Sequence, residues 1–306
     1  MYKKVIVLIL SYNGKELLDD SVSSYLANDY QNFEVVVIDN GSVDGTKEYV
    51  EEKWPEVFVL RTEKNLGYSG GFNFGLDYAF NQEKADYVLV TNNDVRADEK
   101  VITELVNVAN NHKNVGFVTG KVYFFDKPEI LQTTGKNADK KYWRGGHRGG
   151  HIMDEGQFDQ IQQIEWCDDI FWLVNKDLYL ETGGYDTEFQ FQAEDFDWQV
   201  RAKNAGYSVY YTHLAKIWHK ESMTIGKASA FKTYYDARNP LVVHLKYRTP
   251  LEVKPYMQRL LKSNFKSSLR FVFYFRFNYF FSMWKGYFSA LIWAKKNKKL
   301  TIKHFI

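Results

Sequence analysis

The stretch Asp86-Tyr87-Val88-Leu89-Val90-Thr91-Asn92-Asn93-Asp94-Val95 decides the fold. Its apolar run is too short for a helix and reads as a buried strand that passes directly into two amides and a carboxylate. In an open parallel sheet, ligands bind beyond the C-terminal ends of the strands, so these three polar side chains fall where a site belongs. A lone carboxylate with oxygen-bearing neighbours suits a hard divalent cation that keeps several waters and bridges to nucleotide phosphates. The plainer alternative is that Asn93 and Asp94 make a turn and cap the next helix.

The flanking sequence repeats the pattern. Val5 to Leu10 is a β-rich apolar run followed by Ser11-Tyr12-Asn13-Gly14 and a helix with Leu17, Leu18, Val22, Tyr25 and Leu26 on its inner side. Glu34 to Ile38 is a second strand, ending in Asp39-Asn40-Gly41-Ser42 before a short helix marked by Tyr49 and Val50. Phe58 to Arg61 is a third, after which Asn65-Leu66-Gly67-Tyr68-Ser69-Gly70-Gly71-Phe72-Asn73 opens a helix through Leu76 and Phe80. Ile102, Leu105, Val106 and Val108 mark the helix after the 87–91 strand. This alternation calls for an α/β fold, a mostly parallel Rossmann-like sheet flanked by helices, with four polar loops meeting at one edge.

Phe117 to Phe125 reads as another strand. Asp126 to Gln163 is polar and glycine-bearing, and is expected to be a mobile loop or hairpin over the site, with His147 and His151 solvated or touching phosphate on closure. Ile170 to Val174 is apolar again. A helix over Asp177 to Glu181 stopped by Gly183-Gly184, a helix over Phe196 to Ala205 and a strand over Tyr207 to Tyr211 follow.

The chain has 306 residues, 40 basic and 38 acidic, for a formal charge of +2, which argues against a nucleic-acid partner. One cysteine, Cys167, excludes an internal disulfide and a cysteine-built zinc site. Met1-Tyr2-Lys3-Lys4-Val5 runs straight into a strand pattern without a signal-peptide core, so a cytoplasmic location is expected.

Several residues carry candidate chemistry. Asp39 can accept from the N3–H of a uracil or thymine ring, or cap the following helix. The glycines at 67, 70 and 71 let backbone approach a diphosphate beside a helix N-terminus. They match neither the dinucleotide fingerprint nor the Walker loop. Asp195 falls in a first helical turn at the loop edge, where a carboxylate can take a proton from an attacking hydroxyl. Asp197 and Arg201, four apart, read as a helix-face pair. His219 follows the last strand and can complete a metal site or serve as an ordinary polar residue. Arg238 can fork to phosphate oxygens or pair with an acid.

Together, Ser11-Tyr12-Asn13, Val37 through Thr46, Asn65 through Asn73, Asn92-Asn93-Asp94, Gly183-Gly184-Tyr185-Asp186, Glu194-Asp195-Phe196-Asp197 and His219 resemble the family 2 glycosyltransferases of the GT-A fold. The resemblance covers residues 5 to 240 and implies an inverting transfer from a nucleotide-sugar donor carrying UDP or dTDP, with Mg2+ or Mn2+ on the diphosphate. It assigns the base contact to Asp39, the metal to Asp94 with His219, and the general base to Asp195. Ser11, Asn13, Asn65, Gly70, Gly71, Asn73, Asn92, Asn93 and Arg238 fall to the donor. Trp166, Asp168, Asp169 and Glu194 fall to the acceptor, although Asp168 and Asp169 equally suit a buried capping pair. The usual Asp-x-Asp metal motif is Asn92-Asn93-Asp94 here, a feature shared with rhamnosyltransferase-like members, as is the Tyr-x-x-Arg-Asn segment at 235–239.

Residues 1–249 are thus expected to form the catalytic domain and 250–306 a helical extension. In the latter Lys262, Lys266 and Arg270 recur at helical spacing before the aromatic run Phe271 to Trp284. No uncharged run there reaches the roughly 20 residues that span a bilayer. Basic and aromatic residues together suit an interfacial helix at the inner face of the cell membrane, where a glycan or lipid-linked acceptor is held. The alternatives for this segment are a helical subdomain on the core or a homodimer contact. For the whole chain the competing functions are a sugar-1-phosphate nucleotidyltransferase, whose lysine-bearing N-terminal glycine loop is absent, and a non-catalytic sugar-nucleotide-binding or scaffold module at the membrane.

Overall fold

Alternate residues of the first strand point to opposite faces, and both faces are covered. In the computed structural model, which describes residues 2–220 and 229–297, β1 (Val5–Ser11) sends Val5, Val7 and Ile9 into one core and Ile6 and Leu8 into another. On the first face lie α1 (Leu18–Leu26) and α4 (Val101–Asn111), contributing Val22, Ile102 and Leu105. On the second lies α3 (Gly67–Asp77), contributing Phe72 and Leu76.

β2 (Phe33–Asp39) and β4 (Tyr87–Asn92) flank β1 in parallel, and β3 (Phe58–Arg61) extends β2 beyond α2 (Thr46–Lys53). On the other side β11 (Phe171–Asn175) runs antiparallel to both β4 and β6 (Val115–Phe124). β12 (Ser208–His219) then lies parallel to β6 and antiparallel to β5 (Val95–Ala97). This ten-stranded sheet delivers the ends of β1, β2 and β4 to one edge.

One expectation is met in part and one is corrected. The polar segment 126–163 contains the expected hairpin, β8 (Lys136–Asp139) with β9 (Trp143–His147), but also two strands of the main sheet: β7 (Lys127–Thr133) joins β6, and β10 (Ile161–Ile164) joins β12. Its sequence reads as loop because most of its residues face solvent. The last strand runs to His219 rather than Tyr211. Between Tyr211 and Lys216 it bulges past Gly120 of β6, so the two ends of β12 no longer share one register.

α5 (Lys176–Thr182) stops at Gly183, and α6 (Glu194–Asn204) starts two residues earlier than its apolar pattern suggests. The chain ends in α7 (Ala230–Tyr247), α8 (Pro250–Phe273) and α9 (Phe277–Lys296). A third core joins Phe196 and Val200 of α6 to Leu241, Val253, Met257, Tyr287 and Ala290, so it crosses the expected boundary at residue 249. The last nine residues of the expected extension lie outside the described residues.

Two glycines permit close approach. A Cβ on Gly71 would stand 2.6 Å from Leu10 Cδ1, and one on Gly120 would collide with the Ala215 carbonyl inside the bulge. That carbonyl is backbone and cannot swing aside, so Gly120→Ala should cost about 1–3 kcal/mol or more. Urea unfolding of the variant checks this, and an unchanged midpoint would contradict it.

Candidate active site

The strand ends, the β8–β9 hairpin and the start of α6 enclose a cavity of about 870 Å3. Asn65, Asn92, Asn93, Asp94, Asp168, Asp169, Glu194, Asp195 and His219 all line it. The register places the metal candidates: Val95 pairs with His219 across β5 and β12, and Lys220 N–H donates to the Asp94 carbonyl at 2.9 Å. His219 Nε2 then lies 3.1 Å from Asp94 Oδ1, both side chains buried. Behind it, Nδ1 is 2.9 Å from Gln132 Oε1, an acceptor, so Nδ1 carries the proton. In a neutral ring Nε2 therefore turns its lone pair on a carboxylate oxygen.

Two electron-pair donors in that relation fit a shared divalent cation, with an outer hydrogen bond fixing the imidazole tautomer. Among the described residues no three His, Cys, Asp or Glu side chains gather to hold a metal. Mg2+ is commonly held through one or two protein ligands, with phosphate and water completing its shell.

Asp195 is fixed from the hairpin. Arg144 donates to both carboxylate oxygens, through Nη1 at 3.2 Å and through a shorter bond from Nη2, and Nη2 also donates to the Cys167 carbonyl at 2.8 Å. A carboxylate offers about four lone-pair positions, so a hydroxyl can still bond to Asp195 beside the arginine. Gln192 and Ala193, just before α6, both have positive φ, 66° and 69°. Such strain costs of order 1–3 kcal/mol per residue and needs support from around it. Asn239 supplies some, its amide donating to the Phe191 and Gln192 carbonyls at 2.7 and 3.0 Å.

Four carboxylates share the wall, and their surroundings separate them. Burial, then the charge of Asp195, pushes Asp169 up to about 8, while Tyr185 OH donates to it at 3.0 Å. Burial, then Asp169 and Asp195, holds Glu194 well above its usual range, and Glu194 Oε2 is buried without a hydrogen-bond partner. Burial opposes ionisation of Asp168 too, but Lys136 at 2.8 Å, a hydrogen bond from His147 at 3.2 Å and Arg144 hold it well below.

Other expected residues have hydrogen-bond partners within the protein. Asp39 is fully buried, accepting from Ser42 N–H at 2.9 Å and from Arg61 through a shorter bond; its neighbour Asn40, not Asp39, lines the cavity. Ser11 is buried behind Asn93, and Asn13 Oδ1 accepts from Val43 N–H at 2.8 Å, locking the two loops together. Asn65 Oδ1 accepts from Gly67 N–H at 2.7 Å and starts α3.

Four further expectations fall on residues with partners inside the protein. Gly70 and Gly71 lie inside α3, where Gly71 packs against Leu10 of β1. Asn73 is consumed by the Tyr185 backbone, accepting and donating at 2.8 Å each. Trp166 is buried, its Nε1 donating to the Trp143 carbonyl at 3.0 Å, with its ring against Phe196. Arg238 directs its fork to Glu188 and to Asn239 Oδ1, next to the strained turn.

Arg144, Lys136, Gln132 and Arg61 are not singled out by the sequence, and Asn40 only as part of the Val37–Thr46 stretch; Arg144 lies just before the glycine-bearing run 145–150.

Residues 6–177 match the family model Glycosyl transferase family 2, and the chain belongs to that family. The poly-beta-1,6-N-acetyl-D-glucosamine synthase of Staphylococcus aureus (strain COL) is 25% identical over 222 residues, covering 72% of this chain and 50% of that protein. The chain thus spans about half the length of such relatives. The N-acetylglucosaminyl-diphospho-decaprenol L-rhamnosyltransferase of Mycobacterium tuberculosis (strain CDC 1551 / Oshkosh) is 23% identical over 240 residues, 73% of this chain and 78% of that protein. Among solved structures, GalNAc-T7 with UDP, GalNAc and Mn2+ superposes with a TM-score of 0.61 at 15% identity, over 79% of this chain and 47% of that one. Mannosyltransferase PcManGT from Pyrobaculum calidifontis, with GDP-Man and Mn2+, gives 0.57 at 15% identity over 99% and 78%. The fold is GT-A.

Asp169 offers a pH test. Its folded value lies above the ordinary 3.8, so its stabilisation is complete below that value and is lost as pH rises through about 8. Asp169→Asn, neutral throughout, should flatten the dependence of the urea midpoint on pH across that window. An unaltered slope in the variant would contradict the assignment.

Proposed function

We propose that the protein is an inverting, metal-dependent glycosyltransferase. It moves a sugar from a nucleoside-diphosphate donor, dTDP-rhamnose or a UDP-sugar, to a hydroxyl of a cell-surface polysaccharide or lipid-linked glycan precursor. The observation that carries this reading is that one cavity holds both the Asp94–His219 pair and Asp195. The Mn2+-bearing structural neighbours and the rhamnosyltransferase relative support it.

In this reading Asp94 and His219 would hold the cation, which would stabilise the charge gathering on the leaving diphosphate. Asp195 accepts the proton as the acceptor oxygen bonds to the anomeric carbon and the bond from that carbon to the diphosphate oxygen breaks with inversion. The hydroxyl becomes strongly acidic as it bonds to carbon, so its proton passes to Asp195 late in that step. Asp169 and Glu194, kept protonated by burial, can donate hydrogen bonds to sugar hydroxyls. Arg144 and the hairpin close over Asp195 and keep out water that would hydrolyse the donor.

Peripheral attachment to the inner face of the cell membrane belongs to the same proposal. Leu261, Phe265, Leu269, Val272 and Phe273 form an exposed stripe along α8, and Phe275 and Phe277 continue it around the turn into α9. No Asp or Glu follows Glu252 in the sequence. Apolar side chains ringed by unopposed cations suit anionic lipid. Among the described residues no helix is long and apolar enough to cross a membrane.

Incubation with a panel of nucleotide sugars, Mn2+ and acceptor glycans should release nucleoside diphosphate. Release of pyrophosphate would instead indicate a nucleotidyltransferase, and saturable binding without turnover a scaffold. Asp195→Asn should lower transfer by about 10²–10⁴-fold with donor affinity within a few-fold, and near-normal turnover would refute the base assignment. Asp94→Ala should weaken Mn2+-dependent nucleotide binding by about tenfold or more; unchanged calorimetric titration would count against the metal site.

A further inference from the structure

A second concavity, of about 420 Å3, opens between α7 and the turn joining α8 to α9. Its wall combines cations with aromatic rings: Lys232 from α7, Arg270, Phe271 and Tyr274 from the end of α8, and Arg276 from the turn. Lys232 is partly neutralised, its Nζ standing 2.9 and 3.0 Å from the two oxygens of Asp236. Among the described residues Arg270 and Arg276 meet no carboxylate, and the Arg276 guanidinium lies over the Tyr279 ring, 5.7 Å from its centroid. Three cations facing one carboxylate leave a net positive concavity, built from the side chain best suited to forked phosphate recognition.

The position of this concavity narrows what it binds. Ser229 and Lys232 line both it and the catalytic cavity, so the two adjoin. The exposed rings of Phe273, Phe275 and Phe277 are chain neighbours of its lining residues Tyr274 and Arg276. A catalytic chamber for sugar adjoins a basic concavity, and that concavity is built from the same turn that carries exposed aromatic rings. A molecule in which sugar, phosphate and hydrocarbon are joined in that order matches these environments.

We infer that this concavity is the binding site for the phosphate or diphosphate of a lipid-linked glycan acceptor, with Arg270 and Arg276 forking to its oxygens and Lys232 adding charge. The inference rests on the proposed transfer reaction and specifies its acceptor: a hydroxyl on a sugar whose reducing end carries a phosphorylated lipid. The anchor then leaves over the aromatic turn into the bilayer, and the phosphate fixes how far the sugar reaches toward Asp195.

The test compares full-length wild type and R270Q/R276Q, each saturated with nucleoside diphosphate and Mn2+ so that the catalytic diphosphate site is filled. Binding is measured to phosphatidylcholine vesicles doped with a long-chain prenyl diphosphate, and to phosphatidylglycerol vesicles of matched surface charge. Wild type should prefer the prenyl diphosphate by roughly tenfold, the worth of about one charge-assisted hydrogen bond, and the double variant should lose that preference. Equal binding of wild type to both vesicles would show that only headgroup charge is read, and would overturn the proposal; so would a preference that survives substitution. If the double variant fails to fold, K232Q takes its place with the same expected direction. Nucleoside diphosphate titration runs alongside: its failure in wild type would sink the transfer reading, while the vesicle comparison still reports on this site.

Discussion

Backbone pairing between β5 and β12 brings a carboxylate and an imidazole from distant parts of the chain to 3.1 Å. The rest of the site depends on that constraint. β4 ends in Asn92-Asn93-Asp94 and turns at once into β5, so the carboxylate has no freedom to leave the sheet edge. β12 arrives at the same point only because its bulge past Gly120 shifts the register of its second half against β6. Gln132 from β7 then fixes which ring nitrogen faces Asp94. In the proposed reaction, two donors held by backbone geometry would need little reorganisation to meet a cation and a diphosphate.

A second constraint governs the other carboxylates. Placing Asp168, Asp169, Glu194 and Asp195 on one buried wall is costly unless each charge is paired or removed. Arg144 pairs Asp195, Lys136 pairs Asp168, and burial keeps protons on Asp169 and Glu194. Carboxyls of opposite tendency thus stand side by side, Asp168 held low and Asp169 and Glu194 held high, next to the proposed proton acceptor. The strained turn at Gln192 and Ala193 aims α6 at that wall, and Asn239 braces it from the C-terminal helices. Those helices therefore support the site as well as extending away from it.

The α/β alternation was legible because buried parallel strands are continuous apolar runs, and Val5–Leu10 and Tyr87–Thr91 are unambiguous in length and residue type. That Asp94, Asp195 and His219 meet at one cavity was legible because each ends or starts an element, and the ends of elements meet at the sheet edge. What was hidden has a common physical origin. Arg144 and Gln132 act through partners far along the chain, and no local pattern reports such pairings. Gly70 and Gly71 read as loop because glycine signals turns, yet here the missing side chain at Gly71 lets α3 approach Leu10. Asn73 and Arg238 look like ligand-binding groups because amides and guanidinium forks are, but both are occupied by the protein's own backbone and side chains.

The central claim is that Asp94 and His219 together hold the cation that meets the donor's diphosphate. Crystals grown with Mn2+ and a nucleoside diphosphate, measured for manganese anomalous scattering, test it most directly. The account predicts an anomalous peak within bonding distance of Asp94 and His219 and of diphosphate oxygens. An ordered nucleotide with no peak at that pair, or with the peak elsewhere in the cavity, would contradict it.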